Sequence, residues 1–238
     1  MLKALLTDID GTITDPSRRL NTDAIIAIRS LVDEGIEVVL ASGNTACFMD
    51  ALCKMVGTKG TFIAENGGVF RIGFTGTLRI KGDQGICRKA LEEVQAHYRV
   101  QGKELVLFSP TYRFSDLAFA RTVPVDEVKQ ILRDYPVTVL DTGYAIHLQS
   151  PGVDKGTALV ALAHEMNMVP SDFLAVGDSL NDIQMLKKAG IGVTVANAHP
   201  DVKAVAEFVA EKEYGNGFVE VIDKYFTYFR ARKRSTTI

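Results

Sequence analysis

The chain lacks several features that would place it in or across a membrane. No uninterrupted apolar run approaches the roughly 20 residues that a helix needs to span a bilayer. The opening MLKALL meets an acidic residue by Asp8, so it is too short for a secretory signal. The sequence has only three cysteines, and none lies in a CxxC pair. These absences predict reduced thiols, a cytoplasmic location and no membrane partner.

An excess of charge of either sign is also missing. The 27 basic residues nearly balance the 29 acidic ones, for a formal net charge of -2, which disfavours a nucleic-acid partner bound through bulk electrostatics. The one basic cluster is RARKRS at residues 230–235, which we expect to be a solvated tail. No histidine lies in an HExxH spacing, so a zinc site has little support.

What the chain does have is an ordered alternation of predicted strands and helices. The first part predicts strand, helix, strand, helix, strand over residues 2–7, 21–35, 36–42, 45–56 and 60–66, with Asn21 or Thr22 as the first cap. The alternation resumes after residue 154 with a helix at 155–166, a strand at 173–177, a helix at 181–190, a strand at 191–195, and helices from Asp201 and Gly217. Such alternation predicts a parallel sheet with helices on its faces.

The rhythm changes in the middle of the chain. Residues 69–80 predict a hairpin, and the block that follows predicts a helix at 84–98, strands at 105–108 and 116–122, a helix at 125–134 and two short strands ending near residue 150. This is an α+β pattern inserted into an α/β one. We therefore expect a core domain formed by residues 1–80 and 154–238, with an inserted cap domain at 81–153.

Four groups of polar residues follow the predicted core strands where each strand ends. They are Asp8 and Asp10, then Ser42, Gly43 and Asn44, then ENGG at 65–68, and finally GDSLND at 177–182. Ligands of an open parallel sheet bind beyond the carboxyl ends of the strands, so we expect all four groups to face one crevice. Several carboxylates can coexist there only with positive charge, and oxygen ligands favour Mg2+.

The same crevice suits a phosphoryl group. Asp8 and Asp10 fit the roles of a carboxylate that attacks phosphorus and a second acid that protonates the leaving alkoxide. The hydroxyl of Ser42 can donate to phosphate oxygens, and Lys155 can add a positive charge. Each motif alone also fits a turn, a helix cap or a surface lysine, and only their joint placement favours function. In the inserted block, Arg113, Tyr144 and His147 are candidates either to touch substrate or to serve a structural role.

With DIDGT, SGN, KG and GDSLND in that order, the sequence resembles the haloacid dehalogenase superfamily of aspartyl-phosphate phosphatases. The block inserted after ENGG resembles the cap of its Cof-type branch, and the short chain with SGN is similar to the archaeal phosphoglycolate phosphatases. The resemblance covers nearly the whole chain and implies a Rossmann-like three-layer α/β core with a mostly parallel sheet, plus the inserted α+β cap. Asn44 stands where many Cof-type members have Arg, which weakens any transfer of their sugar-phosphate specificity.

The resemblance also implies roles for individual residues. Asp8 would be the nucleophile and a Mg2+ ligand, and Asp10 would be the acid/base and give its backbone carbonyl to the metal. Asp178 and Asp182 would complete the metal site. The residues that would hold or orient the phosphoryl group are Ser42, Gly43, Lys155 and Asn181.

The leading hypothesis is a Mg2+-dependent phosphatase acting on a small phosphorylated metabolite, with conversion of 2-phosphoglycolate to glycolate and phosphate as the first choice. The alternatives are a sugar-phosphate phosphatase or phosphomutase of the same superfamily, and a phospho-accepting switch protein with a similar acidic pocket. A monomer or a homodimer is expected. Sustained phosphate release separates the enzyme from the switch.

Overall fold

The computed structural model describes residues 1–229, so the basic cluster predicted to be a solvated tail lies outside the described residues. Its main sheet contains β1 (Ala4–Asp8), β2 (Glu37–Ala41), β3 (Phe62–Ala64), β4 (Val69–Arg71), β5 (Arg79–Ile80), β9 (Phe173–Val176), β10 (Ile191–Thr194) and β11 (Phe208–Val209). The strand order is β11-β10-β9-β1-β2-β3-β4-β5. All neighbours from β11 to β3 are parallel, and β4 and β5 add an antiparallel edge. The predicted mostly parallel α/β sheet is confirmed.

Helices cover both faces of this sheet. They are α1 (Thr22–Asp33), α2 (Ala46–Val56), α5 (Lys155–Glu165), α6 (Ile183–Lys188), α7 (Pro200–Lys203) and α8 (Tyr214–Tyr225). Because side chains alternate along a strand, Leu5 of β1 packs in the core shared with α1, α2 and α8, whereas Leu6 packs in the core shared with α5 and α6. The result is the three-layer arrangement expected for the core.

Local chemistry explains the first helix well. The Asn21 side chain accepts a hydrogen bond from the Ala24 amide at 3.0 Å, which satisfies one of the free donors at the start of α1. Ala24, Ile28 and Leu31 recur at helical spacing and are buried against the sheet. Asn21 is therefore the cap, one of the two candidates that the sequence offered.

A second, smaller sheet belongs to the inserted part of the chain. Its strands are β6 (Leu117–Ala120), β7 (Thr138–Asp141) and β8 (Ala145–Gln149), in the antiparallel order β6-β8-β7. Helices α3 (Gln84–Val100) and α4 (Val125–Ile131) pack on it through an apolar cluster of their own. Within residues 1–229, no helix combines the length and the apolar character needed to cross a bilayer.

The structure corrects three details of the sequence interpretation. The strand predicted at residues 105–108 is reduced to one bridge between Leu107 and Phe119, because Ser109 takes a left-handed φ of 51° and Pro110 then starts a short 3-10 turn. The helix predicted at 181–190 begins later, since a 3-10 turn at Leu180–Asp182 precedes α6. A short strand, β11, lies between α7 and α8 where the sequence predicted none.

Candidate active site

A cleft of about 470 Å³ opens beyond the carboxyl ends of the central strands. Residues from the main sheet line one wall, and residues from the inserted block line the other. The predicted site residues along the cleft are Asp8, Asp10, Ser42, Gly43, Asp178 and Asn181. The wall from the inserted block includes Phe108, Arg113, Tyr144 and His147. The carboxyl ends of β1, β2 and β9 thus supply one side of a crevice whose other side is the smaller sheet.

Lys155 ties the floor of the cleft together. Its ammonium group donates to Oδ1 of Asp8 and to Oδ1 of Asp182, each at 2.6 Å. The lysine is fully buried at the first position of α5, whose start is fixed by the Asp154 capping box. Burial alone would lower the pKa of Lys155, but the carboxylates of Asp182 and Asp8 raise it overall. Lys155 is therefore a fixed positive charge and not a surface lysine.

Three carboxylates meet around this lysine. Oxygens of Asp8, Asp178 and Asp182 all lie within 4.8 Å of one another. The loop after β9 holds the last of them, since Oδ2 of Asp182 accepts hydrogen bonds from the amides of Asp178 and Ser179, both at 3.0 Å. An oxygen-only donor set of this kind suits a hard cation such as Mg2+.

The electrostatics of the three carboxylates support the same interpretation. Burial raises the pKa of Asp8 well above its usual range, and although Lys155 lowers it, the charges of Asp182 and Asp178 add to the rise. Burial, followed by the charge of Asp182, raises the pKa of Asp178 to about 7. One lysine thus does not offset three acids, and a bound cation would relieve the remaining repulsion.

Gly11 allows the two acidic loops to approach this closely. It has a φ of +87°, and a Cβ at this position would overlap with the carboxylate of Asp178. The same carboxylate accepts hydrogen bonds from Thr12 at 3.4 Å and from Ser179 at 3.2 Å. The glycine of the DIDGT motif is therefore a close-packing requirement of the acidic cluster.

The loop after β2 faces the acidic cluster from the side. The Ser42 hydroxyl accepts hydrogen bonds from the backbone amide of Asn44 at 3.1 Å and from its side chain at 3.0 Å. The Asn44 side-chain amide also donates to Oδ2 of Asp10 at 3.4 Å. Because Ser42 accepts both bonds, its own hydrogen remains available to donate to a ligand in the cleft.

A chain of buried amides connects this region with the inserted block. The side chain of Asn181 donates to Oδ1 of Asn66 at 2.9 Å, and Nδ2 of Asn66 lies 3.3 Å from Nδ1 of His147. Nδ1 of His147 lies 2.8 Å from Oδ2 of Asp116, whose Oδ1 accepts from Nη1 of Arg113 at 2.6 Å. Because Nδ1 of His147 must donate its proton to Asp116, the loop that carries Asn181 and Asp182 is hydrogen-bonded to Asn66, which in turn only lies beside His147 of the smaller sheet.

The expectation that ENGG faces the crevice is wrong, because none of residues 65–68 lines the cleft. Glu65 and Asn66 both have left-handed φ angles, 51° and 52°. The buried Glu65 carboxylate instead accepts hydrogen bonds from the amides of Phe114, Ser115 and Asp116. Burial and the charge of Asp116 raise the pKa of Glu65 to about 7 despite these bonds. Glu65 therefore fastens the inserted block to the main sheet.

Sequence reasoning missed Asp116 altogether. It lies just before β6 and is fully buried between Arg113 and His147. Burial alone would raise the pKa of Asp116, but these two partners lower it overall. The available signal was the position of this acid directly before an apolar strand. A carboxylate at such a position becomes buried, and a buried carboxylate requires cationic partners.

Comparison with known proteins places the chain in a family. The family model described as haloacid dehalogenase-like hydrolase matches residues 5–110 and 110–222. The chain is therefore a member of the haloacid dehalogenase-like hydrolases, a hydrolytic enzyme with the α/β fold of that family. The predicted family is confirmed.

Two named relatives and one solved structure are similar to nearly the whole chain. The chain is 61% identical over 98% of its length to the whole of a Methanoculleus marisnigri protein named phosphoglycolate phosphatase. It is 49% identical, again over 98% of its length, to the whole of a Methanospirillum hungatei protein of the same name. Among solved structures, Thermoplasma acidophilum 0175 matches with a TM-score of 0.84 and 28% identity, covering 95% of this chain and 99% of that one.

Proposed function

We propose that this protein hydrolyses 2-phosphoglycolate to glycolate and phosphate. The observation that carries the substrate is the 61% identity, over 98% of this chain, to a protein named phosphoglycolate phosphatase. The chemistry is supported independently by the buried Asp8 carboxylate, paired with Lys155 beside two further acids at the end of the central strand. Such an arrangement provides a nucleophile, a fixed cation and a metal-binding donor set in one place.

In this proposal Asp8 attacks phosphorus and forms an aspartyl phosphate while the bond from phosphorus to the glycolate oxygen breaks. Asp10, two residues further along, gives a proton to that oxygen, and glycolate leaves. Asp10 then takes a proton from a water molecule, which attacks the phosphorus, releases phosphate and restores Asp8. Asp10 thus acts as the acid in the first step and as the base in the second, while Asp8 is first the nucleophile and then the leaving group.

The remaining site residues position and neutralise the phosphoryl group. Ser42 and the Gly43 loop face the group from the side, and Asn181 orients it from the loop after β9. Lys155 offsets charge at Asp8 and Asp182. Phosphoryl transfer depends mostly on such positioning and charge neutralisation, which is why so many fixed polar groups converge on one point.

A Mg2+ ion would be held by the carboxylates of Asp8, Asp178 and Asp182 together with the backbone carbonyl of Asp10. The three carboxylates fit this ion because they are close together, are oxygen donors and are only partly neutralised by Lys155. When bound, the ion supplies the positive charge that lets an anionic phosphoryl group enter an acidic crevice. Magnesium use is general among phosphatases of this superfamily.

We further propose that residues 81–153 form a cap that selects the substrate, on a core made of residues 1–80 and 154–238. This division is supported by the separate apolar cluster under the smaller sheet. Exchanging residues 81–153 for the cap of a sugar phosphatase should shift substrate preference towards sugars; an unchanged preference would refute the division of roles. A cytoplasmic location is supported by the free thiols of Cys47, Cys53 and Cys87.

Rapid acid quenching tests the mechanism. Enzyme mixed with phosphate-labelled 2-phosphoglycolate should show a labelled protein species that forms and decays within one turnover, mapped by peptide analysis to Asp8. Label that stays on the protein without phosphate release would identify a phospho-accepting switch. Transfer of the label to a sugar phosphate would identify a mutase. Release of phosphate with no labelled species at any time would contradict the covalent intermediate.

A further inference from the structure

The proposed substrate carries a second anionic group, the carboxylate, one carbon away from the ester oxygen. Because the floor of the cleft is acidic, this carboxylate requires a cationic donor on another wall. Among the residues that line the cleft in the described part of the chain, the arginines are Arg18 and Arg113. The two differ in how firmly they are held.

Arg18 belongs to an exposed turn of the core. Its guanidinium lies over the ring of Tyr144, 4.1 Å from the ring centre, and Tyr144 is itself 55% exposed. A cation held in this way is hydrated and keeps its rotamer freedom, so binding a ligand would cost it entropy. Arg18 is the weaker candidate.

Arg113 is only 7% exposed and is held on three sides. Its Nε donates to the carbonyl of Phe108 at 3.0 Å, and its Nη1 donates to Asp116 at 2.6 Å and to the carbonyl of Gly43 at 3.2 Å. Nη2 has no hydrogen-bond partner within residues 1–229. It is also not fully enclosed by the surrounding protein atoms. The guanidinium therefore has one free donor nitrogen. Because Arg113 lines the cleft, a ligand bound in the cleft is the available partner for this donor.

The bond to Gly43 fixes where this donor lies. Gly43 follows Ser42, whose hydroxyl faces the proposed phosphoryl site, so the Arg113 guanidinium crosses from the inserted block to the neighbour of that serine. A two-carbon phosphoester is short, and its carboxylate can only reach a cation that is next to the phosphoryl site. Arg113 meets that requirement through a direct contact with the core.

Asp116 holds the arginine without using up its donors. One Asp116 oxygen binds Nη1 of Arg113, and the other binds the ring of His147 at 2.8 Å. The carboxylate is thereby shared between two partners, and the guanidinium edge at Nη2 stays open. A buried arginine fixed in this manner loses little freedom on binding, and it can pair with a planar carboxylate.

We propose that Arg113 is the specificity-determining residue that binds the substrate carboxylate through Nη2, with Asp116 and Gly43 as the groups that position it. The inference rests on the proposed function and assigns its preference for an acidic phosphoester to one side chain. It also explains why a buried arginine of the inserted block bonds to a carbonyl of the main-sheet domain.

The test compares two substrates that differ only at the second anion. These are 2-phosphoglycolate and 2-hydroxyethyl phosphate, in which a neutral hydroxymethyl group replaces the carboxylate. In Arg113→Gln, kcat/KM for 2-phosphoglycolate should fall by roughly 30-fold or more, whereas kcat/KM for 2-hydroxyethyl phosphate should change by less than about 3-fold. Arg121→Gln is the matched control, because Arg121 lies in the same inserted block but pairs on the surface with Asp141. It should leave both values unchanged.

A purely structural role for Arg113 predicts equal losses with both substrates, which would overturn the proposal. Loss of discrimination in Arg18→Gln with retention in Arg113→Gln would also overturn it and assign the carboxylate to the exposed turn. If Arg113→Gln does not fold, Arg113→Lys provides the same comparison, with the preference for 2-phosphoglycolate reduced by roughly 10-fold because one ammonium cannot keep all the present contacts. A wild-type enzyme without preference for 2-phosphoglycolate would instead refute the proposed function itself.

Discussion

The two walls of the cleft both contain buried ion pairs, but they differ in how far the carboxylates are neutralised. On the core wall, three carboxylates, those of Asp8, Asp178 and Asp182, surround the single cation of Lys155. On the wall formed by the inserted block, the single carboxylate of Asp116 pairs with Arg113 and also contacts His147. Acid in excess prepares the first wall for a cation, whereas the second wall offers an anion the free Nη2 donor of Arg113. A doubly anionic metabolite bridging the two walls matches this difference.

The largest effect is expected when the proposed nucleophile is removed from the core wall. Asp8→Asn keeps the shape of the side chain but leaves no carboxylate to attack phosphorus, so kcat should fall by at least roughly 10³-fold. Steady-state phosphate release measures the loss. Asp126→Asn, the same change at an exposed position of α4, should have no effect. Near-normal turnover by Asp8→Asn would rule out attack by this carboxylate.

The next largest effect is expected from the cation of the same wall. Lys155→Ala leaves Asp8 and Asp182 without their shared partner, so kcat/KM should fall by roughly 10²-fold or more, with a lower kcat and a higher KM together. Buried charges without a partner also cost stability, on the order of 3 kcal/mol. Kinetics and chemical unfolding measure the two losses, with exposed Lys129→Ala as the control. A change in KM alone would mean that Lys155 only binds the substrate.

A smaller effect should follow from crowding the acidic cluster without changing its charge. Gly11→Ala and Gly102→Ala both place alanine at a positive φ, +87° and +70°, and this strain alone should cost about 1 kcal/mol of stability in each, with the overlap at Asp178 adding to the cost in Gly11→Ala. Only Gly11 faces the Asp178 carboxylate, since nothing lies within 4 Å of a Cβ at Gly102. Activity should fall by roughly 10-fold or more in Gly11→Ala alone. Equal activities would show that the position of Asp178 is not critical.

The smallest predicted effect concerns Glu65, whose carboxylate connects the main sheet with the inserted block. Burial and Asp116 raise the pKa of Glu65 from 4.5 to about 7, so the folded protein holds a proton that the unfolded chain releases between these values. This group therefore stabilises the fold at low pH, and its contribution is lost as pH rises through about 7. Glu65→Gln mimics the protonated form and should remove that part of the pH dependence.

Urea unfolding of both proteins at about pH 5 and about pH 8 should show the difference, with the wild type losing on the order of 2 kcal/mol more than Glu65→Gln over this interval. A pH-independent difference in the free energy of unfolding between the two proteins would report the altered hydrogen bonds to residues 114–116. It would not change how steeply stability depends on pH. Parallel pH profiles would mean that Glu65 is ionised throughout.

The walls also differ in how far the sequence predicts them. Asp8, Ser42 and Asp182 follow strands of clear apolar pattern, so topology alone brings them to one edge. Lys155 taken alone reads as a surface lysine and is predicted as a site residue only together with the other motifs, since only the fold brings Asp8, 147 positions away, to its ammonium group. The partners of Asp116 and Glu65 could not be foreseen, because these contacts depend on loops that contain left-handed residues. Motifs that follow strands can be recognised in the sequence, whereas contacts between the inserted block and the core cannot.

The most direct measurement is kcat/KM for phosphate release from 2-phosphoglycolate and from a panel of sugar phosphates, each assayed with Mg2+ and with a chelator. The account predicts a preference of at least roughly 10²-fold for 2-phosphoglycolate, and loss of activity on every substrate when the metal is removed. Equal rates on sugar phosphates would contradict the proposed substrate. Full activity in the chelator would contradict the assignment of the three carboxylates to a metal.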